Sequence, residues 1–285
     1  MDQRIIDLYD RFTHGLMSRR DFVERLARLA GGTAAAMALL PLLRNDYARA
    51  ETIGAGDPRI QASATTYPGP QDAVKAYLAH PAGSGEWPAV IVVHENRGLN
   101  PHIEDVARRL AVAGYLALAP DLLSPFGGTP ADEDDARDRF AELKPPLAVA
   151  QLEAAVPVLK TQPQSSGPVG VIGFCWGGGI AERLALVSPD LAVVVAYYGP
   201  EPPLSDVKTV RAAMLLHYAG LDTRITAAGP AFAEAVKKAG APVVERYVYP
   251  GVNHAFSNDT SNRYDKAASD LAWQRTLAFL KAHLG

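Results

Sequence analysis

The sequence from Val169 to Gly178 reads VGVIGFCWGG, an apolar run that passes directly into glycines. Its first part predicts a buried strand, and the glycines that follow open a helix. Cys175 lies at the junction, between Gly173 and Gly177 in a G-x-C-x-G pattern. A strand, a sharp turn and a helix with this pattern form a nucleophile elbow, here with cysteine in place of serine. The glycines leave space for the turn, and the helix N-terminus favours the thiolate.

The residues of this stretch exclude a nucleotide-binding loop and a disulfide. Gly170, Gly173 and Gly177 do not make the G-x-G-x-x-G of a dinucleotide-binding loop, and no suitable acidic residue ends the next predicted strand, 191–197. Cys175 is the single cysteine, which excludes an intramolecular disulfide and a cysteine-rich metal site. The setting therefore predicts a catalytic thiol rather than a buried structural one.

Short β-rich segments alternate with helical segments from residue 60 onward. The predicted strands are 59–66, 72–80, 89–94, 115–119, 169–174, 191–197, 213–218 and 243–249, and the predicted helices are 103–113, 147–160, 178–187, 228–238 and 264–283. The first two strands are expected to pair antiparallel. The remaining order predicts an α/β fold, a mostly parallel central sheet with helices on both faces and functional groups at the carboxyl ends of strands.

Two further residues follow predicted strands in positions suited to catalysis. Asp222 comes after strand 213–218 through a short turn, and His254 comes after strand 243–249. The chain order of nucleophile, acid and histidine is that of the α/β-hydrolase fold. His254 would take the thiol proton and return it to the leaving group, while Asp222 would fix the imidazole tautomer.

The remaining candidate groups have no comparable setting. His14 lies in the N-terminal segment, and His94, although next to Glu95, lacks the second histidine of H-E-x-x-H. The four acidic residues 132–135 are typical of a solvated helix start. The sequence implies no metal and no cofactor.

Composition limits the class of protein and of partner. The 285 residues are 48% apolar and 21% charged, as in a globular domain, and the net charge of -3 comes without a basic stripe. We therefore expect a small-molecule substrate and no nucleic acid, with a monomer or small homo-oligomer both open. The chain is divided into an N-terminal segment, 1–50, and an α/β-hydrolase domain, 51–285.

The first fifty residues predict a twin-arginine export signal. Arg19 and Arg20 precede a weakly apolar stretch, 26–43, and Ala48-Arg49-Ala50 supplies a small-residue cleavage pattern that would leave a mature periplasmic chain from Glu51. Charge and proline interrupt the stretch, so no permanent membrane span is expected. The alternative is an amphipathic helix over 5–42, uncleaved, packed on the domain of a cytoplasmic protein.

From residue 60 to 283 the chain resembles the dienelactone hydrolases, also called carboxymethylenebutenolidases. The resemblance rests on the elbow around Cys175, on AGLD ending in Asp222, and on YPGVNHAF around His254. It implies that Glu95 contacts the resting thiol and helps to convert it to thiolate. It also implies that the backbone N–H groups of Asn96 and Trp176 form the oxyanion hole.

One departure from the family bears on the substrate. Members that cleave dienelactone carry an arginine four residues after the catalytic histidine, whereas this chain has Asn258, which we place in the substrate-binding set with Phe256. A second family arginine has no clear counterpart near Arg137 or Arg139. Trp176 and Phe256 are expected to line an apolar pocket, with a place in the core as the alternative.

The sequence thus predicts a cysteine-nucleophile hydrolase of small esters or lactones that works through an acyl-enzyme. The missing arginine favours a broader esterase, lactonase or thioesterase over an enzyme restricted to dienelactone. An acyltransferase or peptidase of the same fold is the alternative among enzymes. A non-catalytic small-molecule binding protein is the alternative outside them.

Overall fold

A computed structural model describes residues 2–285, and its elements follow the predicted alternation. The strands are β1 (Ile60–Pro68), β2 (Ala73–Pro81), β3 (Trp87–Val93), β4 (Leu116–Pro120), β5 (Ser165–Phe174), β6 (Val193–Tyr197), β7 (Ala213–Ala219) and β8 (Val244–Tyr249). The helices are α1 (Gln3–Thr13), α2 (Arg19–Ala30), α3 (Thr33–Leu43), α4 (Pro101–Val112), α5 (Glu133–Glu142), α6 (Pro145–Lys160), α7 (Trp176–Val187), α8 (Thr223–Thr226), α9 (Gly229–Lys238) and α10 (Lys266–His283).

The eight strands form one sheet in the order β1-β2-β4-β3-β5-β6-β7-β8. β2 runs antiparallel to β1 and to β4, and every other neighbouring pair is parallel. The prediction of a mostly parallel sheet is confirmed. Because β4, β6 and β7 are buried along their whole length, they consist almost entirely of apolar residues, as strands covered on both faces do.

Helices cover both faces of this sheet. Successive side chains of β3 alternate between two apolar clusters, with Ile91 and Val93 in one and Val90 and Val92 in the other. The first cluster also holds residues of α6, α7 and α9, and the second holds residues of α4 and α10. The period of two along a strand thus divides the core into two layers, one on each side of the sheet.

Helices α5 and α8 are not among the helices predicted from the sequence. Helix α5 begins in the acidic run 132–135, where Asp132 is the N-cap and accepts from the backbone N–H groups of Asp134 and Asp135. A carboxylate at this position stabilises the helix start, which agrees with the structural role expected for these acids. The four-residue helix α8 was not predicted, and Asp222 is its N-cap.

The N-terminal residues form three helices, not the single helix over 5–42 that was the alternative to an export signal. Gly15 breaks the chain after α1, and Gly31 and Gly32 break it after α2, each with a positive φ angle. Ser18 caps α2 by accepting from the backbone N–H of Asp21. Among the described residues no one helix is long and apolar enough to cross a membrane, although α2 with the stretch 33–49, bent by 111°, meets the length and composition of a span as a pair.

These three helices have an apolar cluster of their own. Its buried members are Ile5, Leu8, Tyr9, Phe12, Phe22, Leu26, Ala36 and Leu43. The cluster is separate from the two layers that pack against the sheet. We call α1–α3 the N-terminal helical segment.

Candidate active site

Cys175 is the one residue between β5 and α7, and its backbone is strained. Its φ and ψ angles are 54° and -123°, a conformation that is costly for a residue with a side chain. The Cys175 N–H donates to the carbonyl of Tyr197 at 3.0 Å, which holds the turn against the neighbouring strand. The thiol is thereby fixed at the carboxyl end of the sheet and at the N-terminus of α7, where the helix dipole favours its thiolate.

The glycines on either side of Cys175 are required by close backbone packing. A Cβ added at Gly173 would collide with the carbonyl of Gly177, and a Cβ added at Gly177 would collide with the carbonyl of His94. Both obstacles are main-chain atoms, which cannot rotate away as a side chain can. The G-x-C-x-G pattern is thus a steric condition for the turn that presents the thiol.

His254 and Asp222 meet beside this turn. The Nδ1 of His254 lies 2.7 Å from Oδ2 of Asp222, and both side chains are buried. Because Asp222 is also the N-cap of α8, its carboxylate is held from two sides. The ligand atoms of Cys175 and His254 lie within 4.8 Å of each other. The structure therefore brings together the three residues that the sequence proposed as nucleophile, base and orienting acid.

The charges of this group favour a thiolate next to an imidazolium. Burial by itself raises the pKa of the Cys175 thiol, but the nearby imidazoles of His254 and His14 outweigh it and lower the pKa to about 6. Burial lowers the pKa of His254, and the charges of Cys175 and Asp10 raise it well above its usual range. At neutral pH these shifts place the negative charge on sulfur and the positive charge on the imidazole.

His14, for which the sequence predicted no catalytic setting, lies against the thiol. Its Nε2 is 3.3 Å from Sγ of Cys175, and its ring packs edge-on against the ring of His254 at 4.8 Å between centroids. The Nδ1 of His14 lies 2.7 Å from the backbone carbonyl of Asp10 and 3.4 Å from its carboxylate. The site thus holds two histidine–aspartate pairs around one sulfur.

Polar contacts fix α1 over the site. Asn96 donates through Nδ2 to the carbonyl of Thr13 at 2.6 Å, and Arg263 donates to Oδ1 of Asp10 at 2.9 Å. The guanidinium of Arg137 lies 4.3 Å above the ring of Phe12. One signal in the sequence pointed to this arrangement, since Asp10 and His14 are spaced i, i+4 at the end of a helix. This spacing does not predict the surface on which α1 packs.

Glu95 is buried after β3, and its hydrogen-bond partner is Asn258 rather than the thiol. The Nδ2 of Asn258 donates to Oε2 of Glu95 at 2.7 Å, and Oδ1 of Asn258 accepts from Thr260. Asn258 is 1% exposed, so its amide is fully used inside the protein. In this structure the amide of Asn258 therefore holds Glu95, and its contact with substrate stays a prediction. The other oxygen of Glu95, Oε1, is buried and has no hydrogen-bond partner among residues 2–285.

Phe256 also differs from expectation. Its side chain is fully buried in the layer beside α10, with its ring 4.9 Å from that of Tyr249 and 5.5 Å from that of Tyr198. An aromatic ring packed on this many neighbours belongs to the core. Phe256 therefore has the structural place that the sequence left as an alternative.

Trp176 lines a cavity of about 630 Å³ at the site. Asn96, His14 and His254 also line it, together with Phe12 and Met17 of the N-terminal helical segment. Neither the N–H of Asn96 nor that of Trp176 donates to another group in residues 2–285. Free N–H groups beside a nucleophile can stabilise an oxyanion. A second cavity of the same volume, between α4 and α10, does not reach these residues.

Comparison with known proteins agrees with this geometry. The profile of the dienelactone hydrolase family matches residues 74–284, and a profile described as YqhI-like matches residues 1–32. A protein of Escherichia coli (strain K12) named "Putative carboxymethylenebutenolidase" is 34% identical over 253 residues, which cover 80% of this chain and 90% of that protein. Another from the same strain, "Putative hydrolase fragment YghX", is 53% identical over 113 residues, 39% of this chain and 97% of that fragment.

The solved structures give the same result for the fold. The crystal structure of a dienelactone hydrolase from Klebsiella pneumoniae, described as putative, superposes with a TM-score of 0.71 at 30% sequence identity. The match covers 78% of this chain and 98% of that one. The architecture is accordingly that of an α/β-hydrolase.

Proposed function

This chain belongs to the dienelactone hydrolase family, and from that premise we propose that it is a cysteine-nucleophile hydrolase of small esters, thioesters or lactones. The observation that carries the proposal is the placement of Cys175. Its thiol stands on a strained turn within 4.8 Å of an imidazole that is itself bound to a buried carboxylate. Sulfur, imidazole and carboxylate thus stand in the order that an activated nucleophile uses.

Each group has a defined role in the proposed reaction. His254 holds the proton of the Cys175 thiol, and the sulfur of Cys175 forms a bond to the carbonyl carbon of the substrate. The electron pair displaced onto oxygen is stabilised by the N–H groups of Asn96 and Trp176. When the carbon–oxygen bond of the ester breaks, the imidazolium returns its proton to the leaving alkoxide. Asp222 keeps the imidazole in the tautomer that both transfers need.

Water completes the cycle. The acyl group is now bound to sulfur as a thioester, and His254 removes a proton from a water molecule that attacks its carbonyl. The carbon–sulfur bond breaks, the acid leaves and the thiolate is restored beside the imidazolium. The substrate and one water molecule balance these steps.

Positive side chains favour substrates with an acidic part. Arg19, Arg137 and Arg224 line the cavity beside His14 and His254, although each also has a carboxylate neighbour. These cations, on other elements, could replace the arginine that this chain lacks at Asn258. We propose small carboxylated esters or lactones as the preferred class within the general activity.

A substrate panel tests the function. Wild type and Cys175→Ala are compared on p-nitrophenyl esters, simple lactones, thioesters and dienelactone, after chelator treatment of both proteins. We expect turnover in wild type and none in the variant, with a stable acyl adduct detected by mass spectrometry in wild type alone. Equal rates in the two proteins would remove Cys175 as the nucleophile.

For the N-terminus there are two proposals. Export to the periplasm rests on Arg19, Arg20 and the small residues before Glu51. Retention of an uncleaved segment in the cytoplasm is supported by the contact between His14 and Cys175. Sequencing the N-terminus of protein from its native host separates them: a start at Glu51 supports export, and an intact start supports retention.

A further inference from the structure

The contact of His14 with Cys175 brings a second imidazole to the sulfur. His14, Cys175 and His254 each offer one ligand atom, and the three atoms all lie within 4.8 Å of one another. A thiolate with two imidazoles is a donor set that suits Zn²⁺ in proteins. We propose that His14, Cys175 and His254 form a Zn²⁺-binding site that joins the N-terminal helical segment to the α/β-hydrolase domain.

Both histidines are held with the correct nitrogen towards the sulfur. The Nδ1 of His254 faces a carboxylate oxygen of Asp222 at 2.7 Å, and the Nδ1 of His14 faces the carbonyl of Asp10 at 2.7 Å. These oxygens accept only, so each Nδ1 carries the hydrogen and each neutral ring keeps its Nε2 lone pair for a metal. Oxygen acceptors behind the ring are the usual support of zinc-binding histidines.

An unpartnered atom gives independent support. The Nε2 of His254 is buried and has no hydrogen-bond partner among residues 2–285. A buried polar atom in this state is unfavourable, and a bound cation would satisfy it. The sulfur, by contrast, already has the Nε2 of His14 as a neighbour. A cation between the three atoms would satisfy the Nε2 of His254 and balance the negative charge of the sulfur.

The spacing of His14 and Cys175 also suits a tetrahedral ion. Zinc bonds of about 2.3 Å to sulfur and about 2.0 Å to nitrogen place neighbouring ligand atoms roughly 3.5 Å apart. The distance from Nε2 of His14 to Sγ of Cys175 is 3.3 Å. The cavity that His14 and His254 line leaves room for water as a fourth ligand.

Binding of the ion would block the nucleophile. Zn²⁺ bonds to the sulfur and to both Nε2 atoms, and the proton that the His254 imidazolium carries on Nε2 goes to solvent. The sulfur lone pair is then no longer available to attack a carbonyl. Reversible inhibition of hydrolysis by Zn²⁺ therefore rests on the proposed function, whereas the binding of Zn²⁺ does not.

Titration of the full chain with Zn²⁺ against a chromophoric indicator tests the site. The protein is first freed of metal with a chelator that is then removed. We expect one Zn²⁺ per chain in wild type and binding at least about tenfold weaker in His14→Ala and in Cys175→Ala. His283→Ala is the matched control, because His283 is exposed on α10 and should leave the affinity unchanged. Circular dichroism checks that each variant is folded.

Co²⁺ supplies a second signal that does not depend on activity. A cobalt–thiolate charge-transfer band is expected in wild type, absent in Cys175→Ala and altered in His14→Ala. Equal Zn²⁺ affinity in wild type and His14→Ala would overturn the proposal, as would wild type that binds no Zn²⁺. Turnover by the metal-free wild type is measured in parallel, so that failure of the zinc site and failure of the hydrolase are separate results.

Discussion

Backbone strain at single residues is concentrated around the proposed nucleophile. Among residues 2–285, three residues other than glycine have a positive φ angle: Cys175, Tyr198 and Ala255. Tyr198 packs its ring 4.9 Å from that of His254, and Ala255 follows His254 in the chain. Conformations of this kind cost roughly 1–3 kcal/mol each and persist where the surrounding structure enforces them. Their clustering indicates that the surrounding fold keeps the backbone around Cys175 and His254 in a strained conformation.

The reactivity of Cys175 should depend on pH in a defined way. Because the pKa of its thiol is lowered to about 6, the thiolate is present above that pH and is lost as the pH falls through it. The rate of alkylation by iodoacetamide in metal-free protein should therefore be half-maximal near pH 6. Below the midpoint it should fall about tenfold for each pH unit.

The His14→Ala variant shows how much of the lowered pKa of Cys175 is due to His14 rather than to His254. The His14 side chain lowers the pKa of the thiol, so its removal should move the midpoint of the alkylation profile to higher pH. His283→Ala should leave the profile in place. A midpoint near the usual value for cysteine in wild type would mean that neither histidine acts on the sulfur.

The residues predictable from sequence were those whose position in the chain is tied to a strand end. Cys175, Asp222 and His254 each follow a strand closely, so alternation alone brings them to one edge of the sheet. His14 lies 161 residues before Cys175, and its contact depends on how a separate helix docks. Phe256 was ambiguous because an aromatic residue two positions after the proposed catalytic histidine can face either the pocket or the core.

At the scale of elements, the β5–α7 turn depends on its glycines. Gly173→Ala should destabilise the protein by at least about 2 kcal/mol and abolish turnover, because the added methyl meets the main chain of Gly177. Urea denaturation and ester hydrolysis measure the two effects. Gly56→Ala is the control, since a Cβ there meets no atom within 4 Å and Gly56 does not require positive φ. Similar losses in both variants would show that the collision is not the cause.

The helices show where prediction from local pattern stops. Strand segments and the long helices α4, α6, α7, α9 and α10 agreed with their predicted positions within a few residues. The N-terminal helical segment was harder, since a paired arginine before an apolar stretch fits both an export signal and two ordinary helices. Gly31 and Gly32 end α2, and these two glycines are the feature of the sequence that indicates a break between α2 and α3.

For the whole molecule, the N-terminal helical segment and the domain should be separable. All eight strands lie within residues 60–249, and the segment has its own apolar cluster. A chain that starts at Glu51 should therefore fold, with near-native circular dichroism. Because His14 no longer lies on the sulfur, the plateau rate of Cys175 alkylation at high pH should rise relative to the full chain. An unfolded product, or an unchanged plateau rate, would contradict this.

Attachment of the segment through His14 has a thermodynamic consequence. A ligand that needs the space between His14 and Cys175 binds only the fraction of molecules in which the two are apart, so its apparent dissociation constant is the intrinsic one divided by that fraction. By linkage, a ligand that occupies this space drives the segment away from the domain to the same extent. Substrate affinity and the docking of three helices are then two measurements of one equilibrium.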